Sequence, residues 1–179
     1  MMENASSLPA NRFGEIMTIH LSSESDTGSF AARLSTLVRQ CDVLCLFGDL
    51  GAGKTSFARA FIRALTVADQ EVPSPTFTLV QIYETGESAD SLTIWHADLY
   101  RLSSPDEALE LGIEEAFSEA VVLIEWPERA LEILPAKRLE IHLSFCDKIS
   151  ERSIALWGNA HWRDRLAIYW RRGHRDYKA

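Results

Sequence analysis

The sequence predicts an α/β fold, on three observations. The short apolar run Val43-Leu44-Cys45-Leu46-Phe47 passes directly into a glycine-bearing loop and then into residues 56–65, where Phe57, Phe61 and Leu65 recur at helical spacing. Strand-like and helix-like stretches alternate along the rest of the chain. Residues 76–97 read as a hairpin, and two alternating stretches near the end, 138–145 and 152–157, read as antiparallel strands.

Each element has a local reason. Met17-Thr18-Ile19-His20-Leu21 alternates and predicts a first strand. A helix is expected from about residue 26 to 39, with Phe30, Leu34 and Leu37 on one face and Ser25 or Asp26 as its cap. After the strand, loop and helix of 43–65 comes Val72-Pro73-Ser74-Pro75, extended or turned because the residue before a proline is steered away from helix. Residues 76–83 are β-branched and aromatic and predict a strand; 84–90 make a polar turn, and 92–97 return as its partner. Residues 105–111 predict a short helix with acids in its first turn. Val121-Val122-Leu123-Ile124, the most apolar run, predicts a buried strand ending at Glu125-Trp126-Pro127. Asn159 stands where it can cap a last helix whose Trp162, Leu166 and Trp170 form one stripe.

The totals bound the class. A chain of 179 residues with 46% hydrophobic and 25% charged residues suits a globular domain with a full core. No apolar run approaches the ~18 residues of a membrane span, and the first ten residues have neither the basic start nor the apolar stretch of a secretory signal. The expectation is a cytoplasmic protein with no membrane partner and a flexible lead over residues 1–16. Cys41, Cys45 and Cys146 lack metal-ligand spacing; Cys41 and Cys45 share one strand face, where a reduced core role is expected. A net charge of −8 argues against a broad nucleic-acid footprint, although from Asn159 onward six basic residues face two acids.

The chemistry begins at Gly48-Asp49-Leu50-Gly51-Ala52-Gly53-Lys54-Thr55, which fits the phosphate-binding pattern G-x-x-x-x-G-K-[ST] at every specified position, between the strand and helix it requires. Glycines let successive amides turn inward onto phosphate oxygens, and the helix N-terminus adds partial positive charge there. Lys54 is expected to reach the β- and γ-phosphates, and the Thr55 hydroxyl to ligate Mg2+. Such a loop needs an acid after an apolar strand. Asp98 and Glu125 both qualify, and pattern does not divide the roles between them. Thr76, on the proline-flanked loop, reads either as a switch residue near the γ-phosphate or as an ordinary turn residue. His96 shares the strand face of Asp98, where a structural role is the commoner one for a lone histidine.

Four blocks then stand in order: the phosphate loop; Ser74-Pro75-Thr76-Phe77-Thr78-Leu79-Val80; His96-Ala97-Asp98-Leu99-Tyr100-Arg101-Leu102; and Glu125-Trp126-Pro127-Glu128-Arg129. Together they resemble the signature blocks of the TsaE family, the bacterial ATPase subunit of the tRNA threonylcarbamoyladenosine machinery, over roughly residues 17–157. The resemblance implies a P-loop NTPase-like three-layer fold with a central mixed β-sheet, occupying residues 17–158; beyond it, residues 159–179 are expected to be a basic, Trp-containing helical extension of the same domain. It implies an Mg2+-dependent ATPase, weak alone and stimulated by TsaB and TsaD homologues, which resets that pair between turnovers and meets tRNA indirectly through the complex. Carried over by position, Leu50, Gly51, Ala52, Gly53, Lys54 and Thr55 surround the phosphates, and Thr55 with Glu125 forms the metal pair. Asp98 matches an acid needed for hydrolysis, Thr76 the switch threonine, and Trp126 a tryptophan near the nucleotide. Glu24, Thr27 and Arg152 match contacts to the nucleotide, and Ser56 keeps a hydroxyl where the family often has a second threonine.

Two features depart from a plain assignment. The chain continues past its last strand with Arg171, Arg172 and Arg175, expected either to meet tRNA or an acidic partner surface or to serve as a solubilising tail. The rival activity on the same loop is a small-molecule kinase. Such kinases carry an arginine-rich lid, but between Leu65 and Arg138 this sequence has only Arg101, Arg129 and Lys137, which favours hydrolysis.

Overall fold

The computed structural model describes residues 13–88 and 91–171, with side chains as far as Ala167. Among the described residues, seven strands form one sheet: β1 (Gly14–Leu21), β2 (Val43–Phe47), β3 (Val80–Glu84), β4 (Thr93–Asp98), β5 (Val121–Glu125), β6 (Leu139–Phe145) and β7 (Arg152–Gly158). Their order is β1-β7-β6-β2-β5-β4-β3. The four inner neighbours β6, β2, β5 and β4 run parallel, while β3 and the β7-β1 pair attach antiparallel at the two sides. The sheet is therefore mixed, as expected.

Strand alternation sorts the core into two layers. Leu44, Leu46, Val121 and Leu123 point to one face, packed with α1 (Glu24–Ser35) and α2 (Lys54–Leu65) through Phe30, Leu34, Phe57 and Phe61. Val43, Cys45, Val122 and Ile124 point to the other, covered by α3 (Pro105–Glu110) and α4 (Ile113–Glu119) through Ala108, Ile113 and Ala116. The result is helix, sheet, helix, so both faces of the parallel strands are buried and they read as continuous apolar runs.

The last helix, α5 (Ala160–Arg171), joins the first layer: Trp162 and Leu166 are fully buried, and the Trp162 indole donates to the Lys137 carbonyl (2.8 Å). Asn159 caps it, its Oδ1 accepting from the His161 amide (3.1 Å). The side chains of Trp170 and Arg171, and Arg172, Arg175 and the lead through Arg12, lie outside the described residues.

Several boundaries differ from expectation. The first strand starts at Gly14, three residues early, and the first helix starts at Glu24 with Ser23 as its cap, not Ser25 or Asp26. That helix ends at Ser35, four residues early. Residues 76–79 form a turn before β3, because Leu79 takes a left-handed conformation (φ 64°) and its amide bonds the Pro75 carbonyl (2.6 Å). The helix α4 was not anticipated. Cys41 is exposed at a left-handed position (φ 68°) ahead of β2, so only Cys45 has the expected core role; burial pushes its thiol pKa well above the ordinary range. Among the described residues, no helix is long and apolar enough to cross a membrane.

Candidate functional site

The loop after β2 is shaped by its glycines. Gly48 has φ 140°, and a Cβ there would lie 2.4 Å from the Leu143 carbonyl oxygen on β6, so no other residue fits. Gly53 takes a left-handed conformation (φ 106°) as the N-cap of α2 and leaves that terminus without a side-chain cap. The amides there stay available to an anion.

Lys54 is 5% exposed. Its Nζ donates to the carbonyls of Gly48 (2.6 Å) and Asp49 (3.0 Å) and lies 3.7 Å above the centre of the Trp126 ring. Burial lowers its pKa, against the pull of the carboxylates of Glu125, Glu128, Asp98 and Asp49. The ammonium thus rests, enclosed, on carbonyls of its own loop, and the carboxylates around it act without a direct hydrogen bond to it.

The two candidate acids stand side by side. β4 and β5 are parallel and in register, with Asp98 opposite Glu125, at the strand ends that face the ligand crevice of an open α/β sheet. Both are 2% exposed. Their partners separate them. Glu125 Oε2 accepts from the Thr55 hydroxyl (2.8 Å), and Glu125 Oε1 lies 2.9 Å from His96 Nε2. Asp98 Oδ2 accepts from the Thr76 hydroxyl (2.6 Å), Asp98 Oδ1 from the Tyr100 amide (3.0 Å), and Ser74 Oγ lies 2.7 Å from Thr76 Oγ1. The turn that displaces 76–79 from the strand is what carries Thr76 over the sheet edge to Asp98.

Lys54, Thr55, Ser74, Thr76, Asp98 and Glu125 line one cleft of about 240 Å³, with Leu50, Ser56 and Trp126 on its walls. Trp126 is left-handed (φ 58°), which brings its ring back between Lys54 and Tyr100, 4.9 Å from the latter. On the other side of the loop a second cleft, about 360 Å³, is lined by Glu24, Thr27, Ala52, Ser56, Ile149 and Arg152 among others. Arg152 Nε donates to the Ala52 carbonyl (3.0 Å), tying β7 to the loop, and its guanidinium lies over Phe145. Residues 51, 53 and 56 border both clefts. The candidate nucleotide and metal residues Glu24, Thr27, 50–56, Thr76, Asp98, Glu125, Trp126 and Arg152 thus all line one or other of these two clefts. Sequence reasoning missed Ile149, Ser74 and the bond of His96 to Glu125; for His96 the shared strand face with Asp98 was the available signal.

The donor chemistry fits Mg2+. Thr55 and Glu125 present hard oxygens, and among the described residues no group of three or more His, Cys, Asp or Glu forms a self-sufficient metal cage. Mg2+ is ordinarily held by one or two carboxylates together with substrate phosphates and water.

Comparison with known proteins gives the family and the fold. The family model for threonylcarbamoyl adenosine biosynthesis protein TsaE matches residues 21–154. The tRNA threonylcarbamoyladenosine biosynthesis protein TsaE of Rickettsia bellii is 42% identical over 127 residues, covering 71% of this chain and 85% of that protein. The protein of the same name from Bacillus subtilis is 39% identical over 117 residues, covering 65% of this chain and 70% of its own. The crystal structure of Bacillus subtilis YdiB has a TM-score of 0.72 to this structure at 27% identity, covering 90% of this chain and 97% of that one. On the match across residues 21–154 and these relatives, the chain belongs to the TsaE family of threonylcarbamoyl adenosine biosynthesis proteins.

Proposed function

We propose that this chain is the ATP-binding and ATP-hydrolysing subunit of the machinery that places threonylcarbamoyl on tRNA adenosine. In this role it acts in the cytoplasm beside TsaB and TsaD homologues and resets that pair between turnovers, touching tRNA only through the complex. The observation that carries the reading is the convergence of Lys54, Thr55, Thr76, Asp98 and Glu125 on one cleft beside an uncapped helix N-terminus. Residues 17–158 are the working domain, and α5 is its extension, held by buried Trp162.

Bound Mg2+–ATP supplies an electrophilic γ-phosphorus and a divalent charge against the negative charge of the phosphates. The residues do the rest. Loop amides from 50 to 55 receive the phosphates, and Lys54 exchanges two carbonyl acceptors for phosphate oxygens, gaining negatively charged hydrogen-bond partners. Thr55 and Glu125 hold the metal. Asp98 aims the Thr76 hydroxyl into the cleft and orients the attacking water. Glu24, Thr27 and Arg152 hold the base-bearing end in the second cleft.

The experiment is a pair of variants assayed with partners present. Glu125→Ala is expected to lose Mg2+-dependent ATP affinity, and Asp98→Ala to bind ATP without hydrolysing it. Normal hydrolysis by both would overturn the site. Phosphate appearing on a small-molecule acceptor, not as free phosphate, would favour the kinase alternative.

A further inference from the structure

His96 is fully enclosed, and its two ring nitrogens have unequal surroundings. Nε2 lies 2.9 Å from Glu125 Oε1, whereas Nδ1 has no hydrogen-bond partner. Buried polar atoms are almost always paired, so an orphan beside a used nitrogen points to a ring placed for its other end.

The placement follows from register. In β4 the residues facing α2 are Ile94, His96 and Asp98; in β5 they are Val121, Leu123 and Glu125. His96 is opposite Leu123, one pleat below Glu125, and reaches forward to its carboxylate. A carboxylate oxygen can only accept, so Nε2 carries a proton.

The consequence lies in Glu125. Its two oxygens are divided, Oε1 to His96 and Oε2 to Thr55, and two bonds on opposite oxygens fix the plane of the carboxylate. Without His96, Oε1 would be buried and unpaired, and the nearby positive charge of Lys54, which already interacts with Glu125, would compete for it. We propose that His96 is a positioning residue that holds the Glu125 carboxylate in the orientation needed by the Mg2+-bound nucleotide. This role rests on the proposed function, and it goes beyond filling the core.

The test measures the Mg2+ dependence of binding of a fluorescent ATP analogue to the full chain, with melting temperature recorded alongside. His96→Leu is expected to raise the Mg2+ concentration at half-saturation by roughly ten-fold or more, the usual effect of losing a group that orients a metal ligand, and to leave metal-free nucleotide binding unchanged. His96→Gln, which keeps an N–H within reach of Glu125, restores most of it. A His96→Leu protein with a lowered melting temperature and an unchanged Mg2+ midpoint overturns the proposal, as does His96→Gln as impaired as His96→Leu. Should His96→Leu fail to fold, His96→Asn replaces it: its amide is too short to reach, so a shift in Asn but not in Gln supports the role, and equal midpoints overturn it. In the metal-free protein, nitrogen-15 shifts of the ring should report a proton on Nε2; an Nε2 without one overturns the proposal. Absence of any Mg2+-dependent binding by the wild type instead overturns the functional reading itself, and this role with it.

Discussion

Thr55 and Glu125, seventy positions apart, meet through a 2.8 Å hydrogen bond that joins the first turn of α2 to the end of β5. In the proposed function this bond spans the place where a strand-end acid and a hydroxyl would together hold a metal. Glu125 is 2% exposed, so removing its donor leaves a buried oxygen unpaired. Thr55→Val keeps the shape and deletes the hydroxyl. It is expected to lower unfolding free energy by about 1–3 kcal/mol and to abolish Mg2+-dependent nucleotide binding, whereas Thr55→Ser retains both. Denaturant titration and a binding assay across Mg2+ concentrations check the pair.

Lys54 sets function against stability. Burial lowers its pKa, so the folded chain holds an ammonium in surroundings that disfavour charge. Lys54→Met removes that charge, and with it the ammonium over Trp126, and keeps most of the aliphatic stem. The nucleotide-free variant is expected to melt no lower than the wild type while ATP affinity falls by at least about ten-fold, the loss of one charge-assisted contact. Calorimetry of binding and melting on the same sample settles the matter; a clear drop in melting temperature contradicts it.

Asp98 and Thr76 should act on turnover more than on binding. The Thr76 hydroxyl is committed to Asp98 Oδ2 at 2.6 Å, and neither side chain bonds the loop that receives the phosphates. Asp98→Asn is expected to reduce kcat by about 100-fold or more with KM within a few-fold of wild type, as for loss of a group that handles a proton or orients water. Thr76→Val should move kcat in the same direction by less. Steady-state kinetics with partners present separates the two constants.

Away from the site, Glu140 gives the fold an acid-sensitive link. Burial alone would raise its pKa, but hydrogen bonds from His142 (3.0 Å) and Arg138 (2.9 Å), with the Arg138 charge, outweigh that and hold it below 4.5. A carboxylate whose folded pKa lies below its unfolded one stabilises fully above the unfolded value, and the contribution fades as pH falls through the folded one. The melting-temperature gap between wild type and Glu140→Gln should therefore be widest near neutral pH and shrink below pH 4.5. An undiminished gap at about pH 3 contradicts the linkage.

The path from sequence to site was uneven for physical reasons. The strand before the phosphate loop was legible because β2 is buried on both faces and reads as an unbroken apolar run. Residues 76–79 misled because β-branched and aromatic content favours strand, while Leu79 at φ 64° and its bond to Pro75 impose a turn. The first helix began early because Ser22, Ser23, Ser25 and Asp26 all suit a cap, and only geometry gave the place to Ser23. The helix α4 was hidden because Gly112 at φ 76° restarts the chain directly after α3. Asp98 and Glu125 looked equivalent since both end apolar strands. What separates them is strand order: β5 lies beside β2, whose loop leads to Thr55, and β4 lies beside β3, whose preceding turn carries Thr76.

The central claim is that nucleotide turnover at this loop serves partners. The most direct measurement is the rate of phosphate release from Mg2+–ATP by the full chain, alone and with the TsaB–TsaD pair, beside Asp98→Ala under both conditions. The account predicts slow release alone, clear stimulation by the pair, and neither with Asp98→Ala. A rate unchanged by the pair, or stimulation that persists without the Asp98 carboxylate, would contradict it.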